Sequence, residues 1–222
     1  MAEGSELPSS ELGTIEYWDM TYKRDVMNFK SHGDLGEIWF GEESMERILN
    51  WMLKSEEITP EGSVLDVGCG NGLFLVHLAF EGFTRLYGID YSRNAIELAR
   101  AIAEEKKLNI AYEEVNFLAE GHVDGLASKK YDVVHDKGTY DAISLNPDDP
   151  RAKRIAYIKA AHRVIEDHGL FIITSCNWTN EELQNHFTGY FRLEYEIPTP
   201  SFMFGGKVGS QVTSAVFKKV VL

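Results

Sequence analysis

The chain has 222 residues, 44% of them hydrophobic and 26% charged, which suits one globular domain with a sizeable core. No apolar run approaches the roughly 20 residues that cross a bilayer, so a membrane association is not expected. Lys and Arg number 22 against 35 Asp and Glu, a net charge of −13; this disfavours a nucleic-acid partner and favours capture of a basic protein.

In chain order, residues 1–11 are small, acidic and polar, without the basic-then-apolar pattern of a secretory signal, and are expected to form a disordered tail. Residues 12–30 carry Ile15, Trp18, Tyr22, Val26 and Phe29 at helical spacing, and residues 42–54 a cleaner stripe of Met45, Ile48, Leu49 and Met52. Together, residues 12–58 are expected to form an N-terminal helical cap on a catalytic core spanning 59–222, within one domain. Thr59-Pro60-Glu61-Gly62 is a turn.

Strands and helices then alternate. Strands are expected at 63–67, 86–89, 110–115, 131–135 and 169–175. Helices are expected at 72–80, at 92–106 with Ser92 as cap, at 150–165 with Asp149 before Pro150, and at 181–187 behind the capping box Thr179-Asn180-Glu181-Glu182. Strands at 192–197 and 211–219 close the chain around a glycine-rich loop. This order predicts an α/β fold: a doubly wound, mostly parallel, seven-stranded Rossmann-like sheet ending in an antiparallel hairpin. Cys69 and Cys176 belong to no CxxC or Cys/His cluster, and the histidines show no ligand spacing, so no metal is expected. Neither the N-terminal segment nor the cysteine count suggests secretion, so reduced thiols in the cytoplasm, and also the nucleus, are expected.

The strongest local signal is Val64-Leu65-Asp66-Val67-Gly68-Cys69-Gly70-Asn71-Gly72, a strand running through alternate glycines into a helix. Glycines there permit a sharp turn and close backbone approach to a ligand at a helix N-terminus. A dinucleotide site would want its third glycine at position 73, which is Leu73. The next strand ends in Gly88-Ile89-Asp90-Tyr91, an acid suited to ribose hydroxyls. After the fourth strand comes Asp136-Lys137-Gly138-Thr139-Tyr140-Asp141, where a doubly wound fold places its chemistry; the Asp/Asn-Pro-Pro-aromatic motif of adenine methylases is absent there.

These motifs resemble those of class I S-adenosylmethionine methyltransferases over residues 61–222. The resemblance implies S-adenosyl-L-methionine as cofactor, with Gly68, Gly70, Gly72 and Asp66 around its methionine part. It further implies Asp90 on the ribose, Tyr91 beside the adenine, Asn116 and Phe117 at the adenine edge, and Asp136 close by. The loop from Asp136 to Asp141, with Gly36-Glu37-Ile38-Trp39-Phe40-Gly41, Ser144-Leu145-Asn146-Pro147-Asp148, Thr174-Ser175-Cys176-Asn177-Trp178-Thr179, Pro198-Thr199-Pro200 and Phe204-Gly205-Gly206, resembles protein-lysine methyltransferases that act on elongation factor 1-alpha. That implies a lysine acceptor on elongation factor 1-alpha, a basic partner; the enzyme is expected to be a monomer. Asp136 is expected to accept a hydrogen bond from the amine, and Tyr140 to form an apolar wall. The substrate side is expected to include Trp39, Phe40, Lys137, Gly138, Thr139, Asp141, Asn177 and Trp178. Lys137 reads as a solvated loop lysine, with the cofactor carboxylate as its other partner. His135 reads as a hydrogen-bonded structural residue. The alternatives are a methyltransferase for a small molecule or another protein, and a silent cofactor-binding scaffold.

Overall fold

Strand β1 (Ser63–Val67) is buried at all five positions, as a strand covered on both faces must be. In a computed structural model, which describes residues 6–204, 207–210 and 212–221, it lies in a seven-stranded sheet of order β3-β2-β1-β4-β5-β9-β6. The other strands of this sheet are β2 (Arg85–Asp90), β3 (Ala111–Glu114), β4 (Tyr131–Lys137), β5 (Ile165–Ser175), β6 (Phe191–Ile197) and β9 (Thr213–Lys219). The first five strands are parallel; β9 inserts between β5 and β6, antiparallel to both. The expected α/β sheet with its antiparallel C-terminal pair is therefore present.

Side-chain alternation splits the core into two layers. Val64, Leu86, Val133, Ile172 and Val216 face α2 (Glu42–Lys54), α3 (Leu73–Phe80) and α4 (Arg93–Glu105), meeting Met45, Ile48, Phe74, Leu78 and Ile96. Leu65, Val67, Ile89, Val134, Phe171 and Phe217 face α5 (Glu120–Ala127), α7 (Pro150–Val164) and α8 (Asn180–Phe187), meeting Leu126, Tyr157, Ile158, Ala161, Leu183 and Phe187. Helix α1 (Ile15–His32) sets Val26 against Leu73, Val76, Leu98 and Ile102 of α3 and α4. The capping box at Thr179 and Glu182 forms as expected.

Some elements differ from the sequence expectation. Helix α5 was not expected; Gly121 and Gly125 weaken its propensity, and it forms because Val123 and Leu126 bury against the sheet. A six-residue helix, α6 (Thr139–Ser144), replaces the expected loop after β4. Strand β5 begins at Ile165, with a register shift before Leu170 that leaves Glu166, Asp167 and His168 exposed. A two-stranded unit, β7 (Ser201–Phe204) with β8 (Lys207–Ser210), fills the expected loop; Gly205 and Gly206 lie outside the described residues. The disorder expected through residue 11 does not hold from Glu6 onward. Glu6 makes a bidentate pair with Arg154 at 2.8 and 2.9 Å, and Ser10 caps a single 3-10 turn (Glu11–Gly13). Asn146 donates to the Gly13 carbonyl at 2.6 Å, so this strap lies against the chain just after α6.

The order of the strands reverses between β1 and β4. The crevice at their C-terminal ends is where an open α/β sheet binds ligands. Gly68, Asp90 and Lys137 all stand at that edge.

Candidate cofactor and acceptor site

The turn after β1 has Gly68, Gly70 and Gly72 at φ of 67°, 54° and 73°, a region that side chains with a Cβ rarely occupy. Space is also decisive. A Cβ on Gly68 would stand 2.0 Å from Thr139 Oγ1, and one on Gly70 2.4 Å from Tyr22 Oη. The loop is thus pressed between the segment after β4 and helix α1.

Asp90, at the tip of β2, accepts from Gly70 N–H at 3.1 Å and Ser92 N–H at 2.9 Å. It is buried, and desolvation pushes its carboxyl up to about 6. Ser92 caps α4 and donates to Asp19 of α1 at 2.9 Å. Tyr91 is partly buried beside it. Asn116 turns its side-chain oxygen to Leu118 N–H at 3.0 Å. Phe117 is corrected from the adenine edge to the core: its ring is 6% exposed and lies 5.4 Å from Tyr157.

Asp66, on β1, accepts from His135 Nδ1 at 2.7 Å, which makes Nδ1 the protonated nitrogen. The His135 ring stacks on Phe74 at 3.8 Å, and its Nε2 has no partner among the described residues. Asp66 and Lys137 line one recess with Gly68, Cys69 and Asn71. A carboxylate and an ammonium facing the same glycine turn match a zwitterion such as the methionine part of the expected cofactor, so the donor set fits that group.

Lys137 is corrected from a solvated to a partly buried lysine. Its Nζ donates to the Trp39 carbonyl at 3.1 Å and sits 6.0 Å from the Phe40 ring. Burial holds its ammonium below the usual lysine range. Phe40 has φ of 63°, a conformation that is an outlier for a bulky side chain. Its ring lies on Gly138, where a Cβ would come within 3.1 Å. Trp39 meets Trp18 edge-on at 4.7 Å, and Asn71 of the glycine turn donates to the Leu35 and Glu37 carbonyls at 3.0 and 3.3 Å. The structure therefore brings Trp39, Phe40, Lys137 and Gly138 together over the crevice.

Two expectations for the acceptor loop need correction. Asp136 is fully buried: Thr139 N–H and Tyr140 N–H donate to it at 3.1 and 3.0 Å, and the Tyr157 hydroxyl makes a short hydrogen bond to the same carboxylate. It holds the start of α6 from below and does not face an incoming amine. Desolvation pushes its carboxyl up to about 7. Tyr140 is also fully buried, its hydroxyl 3.0 Å from His186 Nδ1 and its ring packed on Tyr157 and Phe187; it braces the core and lines no open wall.

Thr139 donates its hydroxyl to the Val67 carbonyl at 2.8 Å, joining the two loops. Asp141 accepts from Ser175 Oγ at 2.5 Å and Cys176 N–H at 2.7 Å, so it ties α6 to the end of β5. Trp178 is buried and donates to Ser144 Oγ at 3.1 Å. Asn177 is partly buried, and its Nδ2 has no partner among the described residues. Tyr157 and His186 were not expected at the site; each comes from an element distant in sequence, and no local motif marks them. Among the described residues no group of three or more His, Cys, Asp or Glu side chains could hold a metal, and no helix is long and apolar enough to cross a membrane.

A methyltransferase-domain family matches residues 58–205. The chain is 49% identical over 214 residues to EEF1A lysine methyltransferase 2 of Homo sapiens, covering 95% of this chain and 88% of that one. It is 34% identical to the protein-lysine N-methyltransferase EFM4 of Saccharomyces cerevisiae, covering 97% of each. Among solved structures, a SAM-dependent methyltransferase from Anabaena variabilis superposes with a TM-score of 0.68 at 15% identity over 99% of both chains. The N-methyltransferase NodS of Bradyrhizobium japonicum, in complex with S-adenosyl-L-homocysteine, gives 0.64 at 17% identity over 91% of this chain and 98% of that one. At these identities the structures share the fold alone.

Proposed function

We infer the function from one premise: this chain belongs to the EEF1A lysine methyltransferase family. It is a protein-lysine N-methyltransferase that uses S-adenosyl-L-methionine, and its acceptor is a lysine of elongation factor 1-alpha. One observation carries the reading at the level of the site: carboxylates on β1 and β2 flank a glycine turn that touches the loop after β4 through Thr139. That arrangement supports a reading in which a site for a zwitterion and a ribose adjoins an acceptor crevice.

When bound, the cofactor supplies a methyl group on a cationic sulfur. The chain's residues hold and orient. Asp66, fixed by His135, complements the ammonium, and Asp90 takes the ribose hydroxyls. The backbone of the 68–72 turn lies against the methionine part, and Tyr91 and Asn116 border the base. Alignment of an amine with such a methyl is worth about 7–11 kcal/mol. A free lysine, with pKa near about 10.4, is neutral only to about one part in a thousand at cytosolic pH, a handicap of roughly 4 kcal/mol. The aromatic roof of Trp39 and Phe40 excludes water from the crevice, and desolvation shifts the amine toward its neutral form. Asp136 acts as a positioning residue that fixes Thr139 and Tyr140, and Asn177 borders the acceptor side. The cytoplasm, where the elongation factor works, is the compartment that fits this activity.

The test is incubation of the full chain with cofactor and recombinant elongation factor 1-alpha, read by intact mass and peptide mapping. Mass gains in whole methyl units on one lysine are expected. No gain on that protein, with a gain on a metabolite pool, would overturn the substrate.

A further inference from the structure

Lys137 presents a charge problem that the acceptor loop does not solve. Its ammonium is partly buried at the end of β4, and the hydrogen bond it makes is to a neutral acceptor, the Trp39 carbonyl. A desolvated ammonium calls for an anion. The two carboxylates that act on it, Asp66 and Asp136, do so through space: Asp66 is hydrogen-bonded to His135, and Asp136 to Thr139, Tyr140 and Tyr157. The other groups around the turn are backbone amides and the Asn71 side chain, which is committed to the Leu35 and Glu37 carbonyls. A second anchor therefore reaches the same 35–41 segment from the glycine turn, and Phe40, with its left-handed backbone, rests on Gly138, the residue next to Lys137.

We propose that Lys137 binds the α-carboxylate of the cofactor's methionine part and, through the Trp39 carbonyl, makes the Trp39–Phe40 roof of the acceptor crevice depend on that carboxylate. The inference rests on the cofactor reading above and adds an order to it. The carboxylate supplies an anion in direct hydrogen-bond contact, fixes Lys137, and through it fixes the carbonyl of Trp39 and the ring of Phe40 over Gly138. The roof is then built before the protein acceptor arrives, and the site discriminates against adenosyl compounds that lack the carboxylate. Burial of the Lys137 ammonium supports this, because a group held below its usual range gains most from an anionic partner.

The test compares S-adenosylhomocysteine with its decarboxylated counterpart, by calorimetry and tryptophan emission, on the full chain and on Lys137→Met and Lys137→Arg. The unaltered chain should bind the carboxylate-bearing compound roughly 10- to 100-fold tighter, the range of a charge-assisted hydrogen bond. Lys137→Met should erase that gap while keeping affinity for the decarboxylated compound, and Lys137→Arg should restore part of it. Emission should change on binding only with the carboxylate-bearing compound, and a Trp39→Phe variant should lose that change. An equal affinity of the unaltered chain for both compounds overturns the proposal even if Lys137→Met fails to fold. A gap that survives in Lys137→Met, or an emission change that ignores the carboxylate, overturns it too. If neither compound binds the unaltered chain, the cofactor reading itself falls.

Discussion

Asp90 and Asp136 are two buried carboxylates whose surroundings assign them different work. Asp90 stands at the tip of β2, where the proposed cofactor site lies, with burial raising it to about 6. Ribose hydroxyls donate to its ionised form, so affinity for S-adenosylhomocysteine should weaken as pH falls through about 6, and Asp90→Asn should remove that dependence; calorimetry across pH reads it. Asp136 is pushed by burial to about 7, well above the usual carboxylate range. Its folded form binds the proton more tightly than the unfolded one, so its contribution to stability is present at low pH and is lost as pH rises through about 7. The melting temperature of the unaltered chain relative to Asp136→Asn should therefore fall between about pH 4 and about pH 7 and level off above that. Asp136→Ala strands two backbone donors and the Tyr157 hydroxyl, at a cost of roughly 2–4 kcal/mol. Its turnover should drop more than its cofactor affinity, because α6 loses its anchor while the glycine turn does not.

At the scale of elements, α1 and the strap before it act as a clamp. Tyr22 touches Gly70, Asp19 takes Ser92, and Glu6 reaches Arg154. Gly70→Ala meets both a positive φ and the Tyr22 hydroxyl, so cofactor affinity should fall by more than tenfold, the equivalent of about 1.4 kcal/mol. If Tyr22→Phe together with Gly70→Ala restored full affinity, the contact alone, and not the backbone, would be at fault. Glu6→Ala leaves the Arg154 side chain, 8% exposed, without its carboxylate partner. Because Glu6 itself is 45% exposed, the expected loss is modest, about 1 kcal/mol in a denaturant titration.

For the whole molecule, a net charge of −13 faces a basic acceptor. KM for the protein substrate should rise with salt between about 50 and 300 mM, over which the Debye length shortens from roughly 14 to 6 Å. Cofactor affinity should change much less, since its charged contacts lie in a partly buried recess. A KM that ignores salt would show that long-range charge plays no part in capture.

The glycine turn, Asp90 and the order of elements were legible because each is local: alternate glycines need positive φ, an acid ends a strand, and period 2 gives way to period 3.6. The capping box at Thr179 was equally local. What stayed hidden depended on distant partners. Asp136 reads in sequence as a group for the acceptor, yet Tyr157 from α7 and the turn of α6 enclose it. Lys137 reads as solvated until Trp39, nearly a hundred residues earlier, comes within 3.1 Å. Helix α5 contradicts its own glycines and is held by the sheet beneath it. Sequence alone therefore determined the class of fold and the positive-φ glycine turn after β1, because propensity and hydrophobic period act between neighbours. Only the tertiary structure decided that Asp136 is buried, that the Lys137 ammonium is hydrogen-bonded to a carbonyl and which aromatics lie beside it, because burial and charge pairing are set by groups that the chain brings together from far apart.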